Sequence, residues 1–300
     1  MIFTGTGKLT DEFYVLGTRY FPTHLLFKTR PVLFEAGLSC IGPLYAEEIK
    51  KILLQKQPEI LFLTHVHYDH CGAAGFLQQV FPDLKIAASA GAAKILQRPN
   101  ALNTMSRLNE MTFGWMEKQV PGLASNVPFQ PFGVDMKLSD GDCIECDRGL
   151  TVQVMETPGH TWDGLSYYIP EKKLLIAGEA AGCMSPRGFI YTEFLVDFEA
   201  YLRSIERLAL LEVDVLCQSH HQVFTGEDAK TFFDRSRRAA LRFRERTLEL
   251  LHETNGDVER VAVRIKAEEY DPTPGPKQPE QAYLINLTAK VKHLARFFKV

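Results

Sequence analysis

The run Ile60-Leu61-Phe62-Leu63 leads directly into Thr64-His65-Val66-His67-Tyr68-Asp69-His70. A short, wholly apolar run reads as a strand covered on both faces. The titratable side chains that follow are therefore delivered to the C-terminal end of a buried strand. Three of the chain's nine histidines fall within six residues here. Imidazole and carboxylate are the ligand types that borderline divalent metals prefer. Side chains i and i+2 share a face in an extended segment, so His65 and His67 can reach one ion together. Asp69 and His70 arrive as the chain turns into the next helix, where they can point at a second ion.

Further ligands have to come from other strand ends. His160 sits in the turn Thr157-Pro158-Gly159-His160-Thr161, after a β-rich run over Leu150 to Met155. His220 and His221 follow another such run, Val215 to Cys217. His24 opens a strand near the N-terminus, and Glu35 ends the next one; either could face the site. His252 and His293 lie in helical sequence and read as surface residues.

The surrounding chain is that of an ordinary globular protein. It has 300 residues, 45% hydrophobic and 24% charged, which excludes wholesale disorder and low-complexity classes. Its net charge, 34 − 37 = −3, is too small to argue for a nucleic-acid partner. No apolar run approaches the roughly 20 residues needed to span a bilayer, so no membrane association is expected. Asp11 and Glu12 stand where a signal peptide needs its apolar stretch. The six cysteines (Cys40, Cys71, Cys143, Cys146, Cys183, Cys217) are scattered, which suits a reducing, cytoplasmic compartment.

Strands are expected at 13–16, 25–28, 32–34, 60–63, 85–88, 135–138, 143–145, 150–155, 164–169, 174–176 and 215–217. Helices are expected at 45–55, 72–80, 90–96, 103–119 and 198–211. After Gly226 the texture becomes helical, with long patterns over 228–253, 257–268 and 280–298, and a proline-rich linker over 271–279. The expected organisation is an α/β unit over 1–225 with a helical cap over 226–300. From Ala229 onward there are 15 basic and 10 acidic residues, so this part is +5 and the rest −8.

The order of motifs resembles the metallo-β-lactamase superfamily: His-x-His-x-Asp-His, a Gly-His turn, an acidic residue after an apolar strand, and a final histidine. The resemblance covers about residues 10 to 225. It implies a four-layer αββα sandwich, with the C-terminal helices as an extension. It also implies that His65, His67 and His160 hold one metal ion while Asp69, His70 and His220 hold a second. The family's bridging aspartate corresponds to Glu179 in Leu175-Ile176-Ala177-Gly178-Glu179, a departure that lengthens the side chain by one C–C bond, about 1.5 Å. His221 is the weaker member of its pair, because Ser219 precedes His220 as a small residue does in the family.

Within the superfamily the chain is similar to the hydroxyacylglutathione hydrolases (glyoxalase II) and to the quinolone-signal response thioesterases. The likeness rests on Thr157 through Thr161, Phe34 through Ser39, Thr64 through Gly72, Val196 through Leu202 and the helical tail. It implies a metal-dependent hydrolase using a metal-activated hydroxide, with two divalent ions (zinc first, iron or manganese as alternatives). Asp69 would bind metal and steer the proton of the nucleophile. The substrate implied is a small molecule, an acyl thioester of coenzyme A or glutathione type. A thiolate with a solution pKa near 8.5 leaves with little protonation, and no general acid for a poorer leaving group is evident. A lactonase, a phosphodiesterase or a regulatory protein retaining the metal site are the alternatives, and a homodimer is compatible with the sequence.

Two further motifs stay open. Arg235, Arg237, Arg238, Arg242, Arg244 and Arg246 form either a docking face for the phosphates of an acidic substrate or a solvated helix surface laced by i,i+3 pairs such as Arg242 with Glu245 and Arg246 with Glu249. Cys143-x-x-Cys146 has metal-pair spacing, but without a second pair it reads as structural. Phe189, Tyr191 and Phe194 could line a pocket or pack in the core, and Trp162 and Asp163 could support His160.

Overall fold

The computed structural model describes residues 1–123, 127–185, 187–273 and 277–298, without the side chains of residues 297 and 298. Two seven-stranded mixed sheets carry the fold. The first is ordered β2 (Gly7–Lys8), β3 (Phe13–Gly17), β4 (Pro22–Leu26), β5 (Val32–Phe34), β6 (Ile60–Phe62), β7 (Lys85–Ser89) and β8 (Met136–Leu138). The second is ordered β1 (Ile2–Phe3), β16 (Val223–Thr225), β15 (Val215–Gln218), β12 (Leu174–Gly178), β11 (Leu165–Ile169), β10 (Leu150–Glu156) and β9 (Cys143–Asp147). A small ribbon pairs β13 (Cys183–Met184) with β14 (Ile190–Tyr191).

Side-chain alternation along the strands separates three cores. Val15, Leu26, Val32, Phe34, Ile60 and Phe62 of the first sheet meet Val152, Val154, Tyr167, Leu174, Ile176 and Cys217 of the second, which makes the inter-sheet layer. Their neighbours Leu16, Leu25, Leu33 and Leu61 point the other way. There they pack against α1 (Gly42–Leu53), α2 (Tyr68–Cys71), α3 (Ala74–Val80), α4 (Ala90–Ile95) and α5 (Pro99–Gln119). On the far side Met155, Tyr168, Leu175 and Leu216 pack against α6 (Phe198–Leu208), α7 (Glu227–Glu253), α8 (Val258–Ile265) and α9 (Glu280–Phe298). A period of two puts successive residues on opposite faces, and both faces here are apolar. The result is the expected αββα sandwich, with the C-terminal helices closing its fourth layer.

The expected elements are found with small shifts. The 25–28 strand is β4, two to three residues earlier, because its pairing with β3 begins at Pro22↔Gly17. The helix expected from 45 starts at Gly42, with Pro43 in its first turn, where a missing N–H costs nothing. The 103–119 helix likewise begins at Pro99. The helix expected over 257–268 ends at Ile265 and widens into a π-turn over Lys266–Tyr270. The ribbon strands and β1, β2 and β16, two or three residues each, have no sequence signal, because so short a run shows no period. Residues 274–276 of the linker expected over 271–279 lie outside the described residues; its described positions carry neither helix nor strand. Among the described residues, no helix is long and apolar enough to cross a membrane.

Candidate metal centre

Most strand contacts are antiparallel, but the first sheet also contains three parallel pairs and the second contains one, and these aim the site. In the first sheet β5 and β6 run parallel with Phe34 opposite Phe62, so Glu35 and the His65–His70 segment leave at the same edge. In the second, β12 and β15 run parallel with Ile176 opposite Cys217, which brings Glu179 and His220 to one end. The sheets are tied together there, since Leu165 N–H donates to the Thr64 carbonyl at 2.7 Å and the Tyr167 hydroxyl donates to the Leu63 carbonyl at 2.6 Å. Carboxyl ends of parallel strands are where ligand sites gather in α/β sheets.

Gly178 sets the position of Glu179. It has φ +59°, and a Cβ there would lie 2.9 Å from the Thr64 side chain. A side chain is excluded both by backbone conformation and by space. The strand can therefore turn sharply against the His65 loop and direct Glu179 inward.

The histidines are oriented through their Nδ1 atoms. His70 Nδ1 donates to Glu35 Oε2 at 2.5 Å, and the other Glu35 oxygen accepts the Thr64 N–H at 2.9 Å. Glu35 is 2% exposed and has φ +68°, a region that residues with a Cβ occupy sparingly. His160 Nδ1 donates to the Glu193 carbonyl at 2.5 Å, and His220 Nδ1 donates to the Tyr20 carbonyl at 2.7 Å. His65 Nδ1 shares a hydrogen bond with the Thr64 hydroxyl at 3.0 Å. Asp163 Oδ2 accepts the Val66 N–H at 3.0 Å and steadies the loop. With Nδ1 engaged, the Nε2 atoms of these four rings are the ones left to face inward. His67 is reversed, with its Nδ1 3.1 Å from His160 Nε2.

Two sets of donor atoms converge, one from His65, His67, His160 and Glu179, the other from Asp69, His70 and His220, with the atoms in each set within 4.8 Å of one another. Glu179 reaches both. Its Oε2 lies 2.6 Å from His160 Nε2 and 3.9 Å from His65 Nε2, and its Oε1 lies 3.2 Å from His220 Nε2. His220 Nε2 is in turn 3.9 Å from Asp69 Oδ2. Tetrahedral bonds of about 2.0–2.1 Å place ligand atoms about 3.3 Å apart, a spacing these separations bracket. His65 Nε2 and His70 Nε2 are buried with no hydrogen-bond partner among the described residues. Buried polar atoms are rarely left so, and a cation at the convergence point would satisfy both. The donor set thus fits divalent metal.

Without a cation, the cluster is held by charge. Burial alone would lower His160 and His220, but the Glu179 carboxylate beside them raises each to about 9. Burial acts to raise Glu179, and the two histidines outweigh it, holding the carboxyl well below its usual range.

Other sequence candidates lie elsewhere. His24 stacks on Phe13 in the sheet, with neither nitrogen bonded among the described residues, and burial lowers its pKa to about 3. His221 joins neither donor set. His293, expected at the surface, is half-buried and accepts the Phe198 N–H at 3.1 Å. Cys143 is exposed while Cys146 is buried, and both are free thiols. Trp162 is 67% exposed. Phe194 is wholly buried in the outer core. The carbonyls of Glu193 and Tyr20 escape sequence reasoning, since a main-chain acceptor has no residue-type signature.

Residues 25–220 match the family described as the Metallo-beta-lactamase superfamily. Among curated relatives, the chain is 27% identical over 165 residues to a hydroxyacylglutathione hydrolase of Bartonella tribocorum, covering 54% of this chain and 48% of that one. It is also 27% identical over 155 residues to the human acyl-coenzyme A thioesterase MBLAC2, covering 49% and 47%. The chain thus spans about half the length or less of the first curated relatives it matches. A metallo-beta-lactamase family protein from Thermus thermophilus superposes over 97% of this chain and 95% of its own, with a TM-score of 0.67 at 19% identity, a likeness of fold alone. The chain belongs to the metallo-beta-lactamase superfamily.

Proposed function

We propose that the protein is a thioesterase with a two-cation centre. In this reading His65, His67 and His160 hold one ion, Asp69, His70 and His220 hold the other, and Glu179 stands between them. The observation that carries it is the convergence of the seven side chains into two donor sets spanned by Glu179. Bound divalent cations, zinc foremost, supply Lewis acidity, which polarises an acyl oxygen and makes water acidic enough to act at neutral pH. Asp69 orients the attacking water and accepts its proton. Glu35 and the Glu193 and Tyr20 carbonyls fix the imidazole planes, so the chain contributes a preorganised site and no covalent nucleophile.

A thioester suits this machinery because a thiolate departs without a positioned acid. The names of two relatives, a hydroxyacylglutathione hydrolase and an acyl-coenzyme A thioesterase, support the same class. We further propose that residues 226–300 form a cap on the 1–225 unit that shapes access to the centre. Elemental analysis should return about two divalent ions per chain, in line with the two donor sets. Rates on acyl-coenzyme A, glutathione thioester, acyl-homoserine lactone and bis-nitrophenyl phosphate should be highest on a thioester. A phosphodiester turned over efficiently while both thioesters stay intact would overturn the assignment.

A further inference from the structure

Helix α7 sorts its arginines by face. Arg237 pairs with Glu206 at 3.0 Å and Arg244 lies over the Phe198 ring; neither enters the cavity beside the helix. Arg235, Arg238, Arg242 and Arg246, spaced three, four and four apart, share one face and line that cavity of about 400 Å³. Phe189 and Phe243 form apolar parts of its wall.

The four guanidiniums are not equally neutralised. Arg238 pairs with Asp234 at 2.5 Å, and Arg246 pairs with Glu268 and Glu249 at 2.6 and 3.1 Å. Arg235 donates to the Met184 sulfur at 3.1 Å and makes no ion pair among the described residues. Arg242 makes no ion pair among the described residues; the i,i+3 partner expected for it, Glu245, does not engage it. Among the described residues lining the cavity, Glu269 is the one carboxyl, and burial raises its pKa. Two uncompensated cations therefore face a concavity that also offers aromatic surface.

This cavity and the metal centre are built from adjoining segments of chain. Gly188, Phe189, Ile190 and Thr192 line it, and the next residue, Glu193, gives its carbonyl to His160. Met184, in contact with Arg235, follows Cys183, whose sulfur lies 3.7 Å from the His220 carbonyl.

We propose that this cavity is a phosphate pocket for the nucleoside-phosphate end of a substrate, with Arg235 and Arg242 as its anion-binding forks. Guanidinium matches phosphate oxygens bidentately, and the exposed Phe189 ring offers a face to a purine. As a statement about substrate the inference rests on the thioesterase reading, and it selects a coenzyme A-type thioester over a glutathione one. The test is kept separate from turnover by titrating the full-length protein with adenosine 3′,5′-bisphosphate, which has no acyl group and needs no metal.

Saturable binding is expected, competed by coenzyme A and not by glutathione. Arg242→Glu should weaken it about tenfold or more, roughly 1.4 kcal/mol. Arg242→Lys, which keeps the charge and loses the fork, should fall between. Arg237→Ala, on the other face, should leave the affinity unchanged. No saturation by about 1 mM, where binding is worth only about 4 kcal/mol, or equal affinities for wild type and Arg242→Glu, would overturn the pocket. Inorganic phosphate binding as tightly as the bisphosphate would overturn its nucleoside assignment. Should no thioester be hydrolysed while the bisphosphate binds through Arg242, the pocket stands and the thioesterase reading falls.

Discussion

Glu35 satisfies two donors with one carboxylate, the Thr64 N–H and His70 Nδ1. Glutamine has a single acceptor oxygen and would turn an NH2 toward one of those donors. Glu35→Gln should lower metal affinity about 10–100-fold, the usual cost of losing a partner behind a metal-binding histidine, measured by competition with a chromophoric chelator. The charge balance around Glu179 makes a second expectation. His160 and His220 are raised to about 9 in the metal-free protein, so both carry a proton near neutral pH. A cation needs their lone pairs, so loading zinc at pH 7 should release about two protons per chain from these rings. The sign follows directly: release shrinks as pH rises past about 9, and apparent affinity climbs with pH until then. An indicator-dye titration of metal-free protein reads the count, and release of fewer than about half a proton would contradict it.

At the scale of elements, the crossing of β12 past the His65 loop depends on Gly178. Gly178→Ala would place a methyl 2.9 Å from Thr64 at φ +59°. The strain should cost about 1–3 kcal/mol of stability and displace Glu179, lowering the unfolding midpoint in urea and the metal content together. Unchanged metal content with lowered stability would show that β12 does not set the Glu179 position. These elements differ in how openly the sequence shows them. β6 and its ligands are legible because an apolar run and a histidine cluster are local features. The αββα layering is legible only through the family resemblance those motifs carry, since β4, β5 and β12 are buried on both faces and show no alternation. The supports of the rings are not, because Tyr20 and Glu193 act through carbonyls that tertiary packing brings in from 200 and 33 residues away. Nor does helical spacing reveal that Arg242 faces a concavity while Arg237 faces Glu206, since that depends on where the β13–β14 ribbon lies.

At the scale of the molecule, the C-terminal helices bear on the centre through buried contacts. Ser236 of α7 donates to the Ala181 carbonyl at 2.5 Å, two residues past Glu179. Lys290 of α9 is 3% exposed and donates to the Thr192 carbonyl at 2.8 Å, with its ammonium 4.7 Å from the Phe243 ring centroid. Glu193 follows Thr192 and orients His160, so one lysine links the last helix to a candidate ligand. Burial pushes the Glu193 carboxyl up and the Lys290 charge opposes that shift. Lys290→Met keeps the aliphatic stem and removes the donor. It leaves the Thr192 carbonyl unpaired and Glu193 without its counter-charge, and a lost hydrogen bond from a charged donor costs about 1.5–3 kcal/mol. Unfolding in urea should shift by that amount. If the link to His160 operates, the variant should also bind zinc more weakly under native conditions, where the folded state still dominates. A stability loss with unaltered zinc affinity would confine Lys290 to packing and leave the 190–193 segment to hold His160 unaided.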